Sequence, residues 1–305
     1  MPDSFLGAML GCGLGDAIGE MAFSGLDAAG LVAAVEASPQ LVYTDDTAMA
    51  IGLAESLMAE GDVVPDALAR RFAENFAREP WRGYGPGPPR IFRIAAREDR
   101  PCEEIARELY GGEGSFGNGA AMRTAPLGLA YRDPDALYAK SCAAAAVTHA
   151  HPVGQDGAAV QALAVALAAE AAGDDLDVAA MADRLAGTAR TEAIRGKMRT
   201  VARLLAENAA PAQVADAVGR SVAVQESMPF AVYAFLRAPR SFQDCLMCAV
   251  LNGGDRDTLG AMAGAISGAY LGAEGLPDRW AAKLENRGYI GILAGRLAAT
   301  FGGRR

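Results

Sequence analysis

Two short stretches carry the residues whose types and spacing could do chemistry. The first, "YTDDT", sets Thr44, Asp45, Asp46 and Thr47 directly ahead of an apolar, helix-patterned run. The second, "GGDRDT", sets Asp255, Asp257 and Thr258 ahead of another. Either stretch alone reads as a helix cap, because Asp and Thr are preferred N-caps and carboxylates suit the positive end of a helix dipole. A cap needs one side chain, however, and each stretch offers at least three oxygen-bearing ones. Oxygen donors without His or Cys are what hard cations take. If the two helix starts converge, four carboxylates meet and two divalent cations would neutralise them, with Mg²⁺ or Mn²⁺ the best fit to the donor type. Without cations, one or more of these acids must be protonated or solvated. Spacing along the chain leaves both alternatives open.

Helices must position these residues, since helical periodicity dominates the chain. Ala50, Leu53, Ala54, Leu57 and Met58 recur at helix spacing after the first stretch, and Gly61 can end that helix. Leu68, Phe72, Ala73 and Phe76 form a second stripe, closed by Pro80. Ile194, Met198, Val201 and Leu205 form a third, and the alanine-rich segments 136–147, 157–171 and 177–189 are good helix formers. No alternating β-branched run is long enough to argue for a sheet. The irregular stretches 83–89, 111–119 and 252–258 are too short for interdomain linkers. The expectation is an all-α, many-helix globule forming one domain over residues 1–305.

After the second acidic stretch, glycines fall at 260, 264, 268 and 272, flanked by Ala261, Ala265 and Ala269. Four glycines inside a helix would cost roughly 3–4 kcal/mol relative to alanine. Close backbone packing against another helix is the natural compensation. A membrane dimer would use the same stripe, but the uncharged run from Thr258 to Ala273 is short of the roughly 20 apolar residues a span needs.

Composition narrows the partners. The chain has 305 residues, of which 51% are hydrophobic, enough to bury a large core. A net charge of -9 argues against a nucleic-acid or anionic-membrane surface, which would need a basic stripe. A small anionic ligand remains compatible if backbone N–H groups, a few arginines or metal meet it. Five cysteines in a long chain do not make a disulfide framework, and Cys245 and Cys248 sit in an apolar setting that reads as buried helix. No basic region precedes the first apolar run, so the chain is expected to be cytoplasmic. Nothing demands an oligomer, and a monomer is expected.

Six segments occur in order: "GAMLGCGLGDAIG", "YTDDTAMA", "RGYGPG", "GSFGNGAAMR", "THAHPVG" and "GGDRDTLGAMAGAISGAYLG". Together they resemble the ADP-ribosylglycohydrolase family over nearly the whole chain, and look closest to its serine-linked branch. The resemblance implies an all-α single domain with a binuclear Mg²⁺ or Mn²⁺ centre. Its ligands would be Thr44, Asp45 and Asp46 from the first motif and Asp255, Asp257 and Thr258 from the last. It implies hydrolysis of the bond between C1 of ADP-ribose and a protein side chain or another leaving group, so that ADP-ribose or an ADP-ribosylated protein is the partner. Asp46 and Asp257 are then the candidate catalytic carboxylates facing the attacking water.

The glycine-rich loop can cradle a pyrophosphate on its amides or be an ordinary turn. Beside the resemblance, Gly114, Ser115, Phe116, Gly117 and Asn118 become ligand contacts. His149 would line the diphosphate-ribose pocket, whereas His151 has no such support. Arg123 could meet a phosphate or serve a structural ion pair. Tyr84 and Gly85 belong to a loop that either lines the pocket or is merely rigid. The chain departs from the family pattern at Phe23, where members often carry a glutamate thought to act as a mobile ligand or gate; Glu20 directly follows Gly19 instead. That departure motivates the alternative of a catalytically weak ADP-ribose-binding or structural relative.

Overall fold

The computed structural model describes residues 2–303. Their secondary structure is helical, with no strand among the described residues beyond two isolated bridges. The α-helices run in the order α1 (Pro2–Ala22), α2 (Ala28–Ala37), α3 (Asp45–Glu60), α4 (Pro65–Arg78), α5 (Gly87–Glu98), α6 (Cys102–Glu108), α7 (Ala125–Ala130), α8 (Pro134–Ala146) and α9 (Pro152–Glu170). They continue as α10 (Val178–Thr188), α11 (Glu192–Ala206), α12 (Pro211–Val218), α13 (Val224–Arg237), α14 (Phe242–Leu251), α15 (Arg256–Leu271), α16 (Asp278–Ala281) and α17 (Arg287–Phe301). The expected all-α class is what the chain adopts. Its apolar stripes become α3, α4 and α11, and its alanine-rich segments become α8, α9 and α10. Gly61 ends α3 in the left-handed region at φ 71°, a conformation glycine takes without steric cost.

The centre of the molecule is the antiparallel pair α1 and α15. Gly260, Gly264 and Gly268 of α15 meet a second glycine stripe, Gly7, Gly11, Gly15 and Gly19 of α1. A Cβ added at Gly15 would lie 1.9 Å from the Gly260 carbonyl oxygen, and one at Gly264 would lie 2.2 Å from that of Gly11. The two backbones therefore touch directly, which no residue with a side chain allows. That close contact is the compensation for glycine's poor helix propensity. Gly272 is not inside α15 but caps it at φ 73°, so the helix itself carries three of the four glycines of the stripe. Helices α9, α13 and α14 pack around α15, and α17 covers α1. No helix among the described residues is long and apolar enough to cross a membrane.

This register fixes the geometry of everything polar. Because the pair is antiparallel, the C-terminal end of α1 lies beside the N-terminal start of α15. A Cβ at Gly19 would sit 2.6 Å from the Asp257 Cα. One turn earlier on α1 is Asp16, which holds the start of α3. The segment leading into α3 is fixed from its other side as well. Leu41 pairs with the backbone of Lys283 and Glu285 at 2.9 Å in both directions. Arg82, 5% exposed, donates to the Tyr43 carbonyl at 2.9 Å and forks onto Glu79 and Glu285.

Candidate active site

The two acidic stretches meet. Asp45, Asp46, Asp255, Asp257 and Thr258 line one cleft of about 410 Å³, together with Met49, Gly83, Gly85, Ser115, Gly117, Asn118, Thr148 and His149. Neither N-cap side chain is spent on capping. Thr44 and Asp255 occupy the N-cap positions of α3 and α15, but neither side chain accepts a bond from its helix. Asp257 Oδ1 accepts from the Thr258 amide at 2.9 Å, whereas Asp46 Oδ1 takes no bond from its helix.

Asp16 organises the first half of the site. It is fully buried, and its carboxylate accepts from the Thr44 amide at 3.0 Å, the Thr44 hydroxyl at 2.8 Å, the Thr47 amide at 3.0 Å and the Thr47 hydroxyl at 2.6 Å. Burial raises its pKa to about 6 against the opposing pull of these bonds. Thr44 Oγ1 also lies 3.2 Å from Asp46 Oδ2. One hydroxyl proton cannot serve both Asp16 and Asp46, so one of the two contacts asks for a proton on a carboxyl. Asp46 is 1% exposed, and its Oδ1 has no hydrogen-bond partner. Burial first, then the charges of Asp16, Asp257, Asp45 and Asp255, push its pKa well above the ordinary range. Asp45 rises to about 7 by burial and by Asp16 and Asp257. Asp257 rises to about 7 by burial and by Asp255, with Asp16 and Glu20 adding to it.

The second half is held by the glycine-rich loop. Asn118 donates from Nδ2 to Asp255 Oδ2 at 2.7 Å and contacts Ser227 Oγ at 3.2 Å, while its amide bonds the Val222 carbonyl at 2.9 Å. Asn118 thus faces the cleft but spends its side chain orienting Asp255. Ser115 and Gly117 line the cleft, with the Gly117 amide donating to Ser115 Oγ at 3.1 Å. Gly114 and Phe116 stand outside that lining. Gly114 lies under the chain at His151, where a Cβ would fall 2.7 Å from the His151 nitrogen. The Phe116 ring is 46% exposed and rests edge-on against His151 at 5.3 Å. His149 is 6% exposed and lines the cleft, and its Nδ1 lies 2.8 Å from Thr148 Oγ1. His151 instead caps α9, accepting from the Val153 amide at 3.1 Å. Gly85 is part of the wall, whereas Tyr84 packs its ring edge-on against Phe76 at 5.0 Å. Arg123 is buried below the floor and donates to Thr148 Oγ1 at 2.9 Å.

Asp16 and Thr148 are the site residues that reasoning on motifs passed over, and Thr47, named with the first stretch, proves to hold Asp16. A signal for Asp16 was present: a lone carboxylate in the apolar, glycine-striped "GLGDAIG" cannot reach water from a buried helix face.

Among the described residues no trio of His, Cys, Asp or Glu side chains is already closed around one ion position. The cluster mixes carboxylates with hydroxyls. Its donor chemistry nevertheless fits a hard cation: every donor is oxygen, and Asp46 Oδ1 is buried without a partner.

A model of the family described as ADP-ribosylglycohydrolase matches residues 1–305. The chain is 34% identical over 293 residues to human ADP-ribosylhydrolase ARH3, covering 87% of this chain and 81% of that one. It is likewise 34% identical to the Bos taurus ADP-ribosylhydrolase ARH3, over 86% of this chain and 79% of that one. Among solved structures, an ADP-ribosylglycohydrolase-related protein complex superposes with a TM-score of 0.71 at 26% identity, covering 98% of both chains.

Proposed function

The chain belongs to the ADP-ribosylglycohydrolase family, and from that premise we propose that it hydrolyses the glycosidic bond at C1 of ADP-ribose. Its substrates are ADP-ribosylated protein side chains or related ADP-ribosyl conjugates. Thr44, Asp45, Asp46, Asp255, Asp257 and Thr258 would hold two divalent cations, Mg²⁺ or Mn²⁺. The observation that carries this reading is the convergence of two distant acidic stretches on one cleft, with neither N-cap side chain bonded to its helix and a buried Asp46 oxygen unpartnered.

When bound, such cations supply positive charge that offsets the carboxylates and lowers the pKa of a coordinated water. The chain's own residues do the rest. Departure of the leaving group from C1 builds positive charge on the ribose, and a carboxylate oxygen of the cleft facing C1 would stabilise it locally. Asp46 and Asp257 are the candidate carboxylates that would take the proton of the attacking water. The water's oxygen bonds to C1, and its second proton remains on the product hydroxyl. The leaving group departs with the equivalent of the proton that the carboxylate took from the water, passed on directly or through solvent, so the site ends with no net gain of protons. Asp16 and Asn118 touch no substrate atom in this scheme; they hold Thr44 and Asp255 at fixed angles, as outer hydrogen bonds do at metal centres.

One observation favours a second reading, binding without turnover. Phe23, 52% exposed on the turn after α1, stands where a carboxylate is common in the family. Glu20 counters it, since its charge reaches Asp257.

The test is release of free ADP-ribose from arginine-linked, serine-linked, polymeric and O-acetyl substrates, with Mg²⁺, Mn²⁺ or chelator. Release from at least one substrate, dependent on the ion and abolished in a folded Asp257→Ala variant, is expected. ADP-ribose binding with no release from any substrate under either ion would leave only the second reading.

A further inference from the structure

Arg123 is a buried cation whose described partners are all neutral. It is 1% exposed, and it contacts the Ala144 carbonyl at 3.1 Å, Thr148 Oγ1 at 2.9 Å, Met49 Sδ at 3.7 Å and the face of Phe72 at 4.6 Å. No carboxylate among the described residues hydrogen-bonds it and Asp45 reaches it only through its charge, so a guanidinium in such a place is costly unless its donors are used for something. Burial pulls its pKa down to about 9, which still leaves it charged at neutral pH.

Its use is legible in the proton count. The guanidinium has no acceptor, so Thr148 Oγ1 receives from Arg123 and cannot donate back. The Thr148 hydroxyl is 1% exposed, so its own proton needs a protein acceptor. The acceptor in reach is His149 Nδ1, at 2.8 Å. Nδ1 is then bare, and a neutral ring must carry its proton on Nε2. Burial, followed by the Arg123 charge, holds the His149 pKa at about 3, so the ring is neutral. Nε2 faces the glycine-rich loop. A Cβ at Gly119 would lie 3.0 Å from it and one at Gly117 3.5 Å, so two missing side chains leave this N–H open to the cleft.

We propose that Arg123 and Thr148 are positioning residues that lock His149 as a neutral Nε2–H donor aimed at an anionic oxygen of the bound ligand. Naming that ligand as ADP-ribose rests on the functional reading above; the lock itself does not. Arg123 acts on the ligand through two hydrogen bonds rather than by contact. The arrangement gives the cleft a donor that stays uncharged and fixed in direction beside a cluster of carboxylates.

The chain has only two histidines, so ring nitrogens are readily resolved by long-range ¹H–¹⁵N NMR on histidine-labelled protein, with His151→Ala to assign them. Wild-type His149 is expected to show a single tautomer protonated at Nε2, with that proton shifting when ADP-ribose is added. Thr148→Val keeps the shape and removes the hydroxyl. It should give mixed tautomers and bind ADP-ribose at least about tenfold more weakly, while Thr148→Ser restores both. A wild-type ring protonated at Nδ1, or a Thr148→Val ring still fixed at Nε2–H, overturns the proposal. A fixed Nε2–H ring in a wild-type protein that does not bind ADP-ribose upholds the lock and removes the functional reading instead.

Discussion

Asp46 carries the sharpest conflict between stability and chemistry. A carboxylate 1% exposed with an unpartnered oxygen, surrounded by four other aspartates, opposes folding wherever it is ionised. Asp45 and Asp257 share the problem, both raised to about 7. In cation-free protein the folded state keeps protons that the unfolded chain has released above about pH 4. Stability falls with rising pH wherever the folded state holds more protons. The chelated protein should therefore lose stability from about pH 4 through pH 7 as Asp16, Asp45 and Asp257 ionise, and go on losing it for as long as Asp46 keeps its proton. Asp46→Asn removes one of these charges. In chelator at pH 8 it should raise the unfolding free energy by roughly 1–3 kcal/mol, measured by urea denaturation, while abolishing turnover. A variant less stable than wild type under those conditions would show that Asp46 is not strained in this way.

The helix pair α1 and α15 makes the site possible, and its glycines are the elements' own requirement. A substitution there differs in kind from one on a free helix face. Gly264→Ala forces a Cβ to within 2.2 Å of the Gly11 carbonyl oxygen, and the two backbones must part. It should cost about 3 kcal/mol or more, since overpacked cores commonly lose 1–3 kcal/mol and here the neighbour is backbone. Gly295→Ala on α17 meets nothing within 4 Å and should add about 0.8–1.0 kcal/mol through helix propensity alone. Thermal or denaturant unfolding of the two variants gives the comparison; equal effects would mean that the close approach of α1 and α15 is not what binds them. Parting the pair would also move Gly19 away from Asp257, so residual Gly264→Ala protein should bind divalent cations more weakly than Gly295→Ala.

At the scale of the molecule, the proposed cation binding would be linked to folding, because its candidate donors stand at the starts of α3 and α15 and meet only in the packed chain. A ligand of the folded state alone stabilises by about 2.7 kcal/mol at a hundredfold excess over its dissociation constant. For a chain of this size that is a rise of roughly 5–10 °C in unfolding temperature with Mg²⁺ or Mn²⁺. The rise should vanish in Asp257→Ala; an identical rise in that variant would place the ions elsewhere. Much of this was legible in the sequence by itself. The helices were, because periodicity, alanine content and Gly61 act within a few residues of where they stand. The two acidic clusters were, because oxygen-bearing side chains grouped at helix starts are a local pattern. The need for a close helix partner was also readable from the glycines of α15. Which helix answers that need was not, since the stripe of α1 gains meaning only from its antiparallel register. The same register decided that Asp257 stands beside Gly19, that Asp16 holds the start of α3, and that Asn118 is turned to Asp255. The Arg123–Thr148–His149 chain was likewise undecidable, because it joins two segments whose side chains meet only in the packed core. Local pattern fixes which groups the chain offers; the direct contact of two backbones decides which of them face one another.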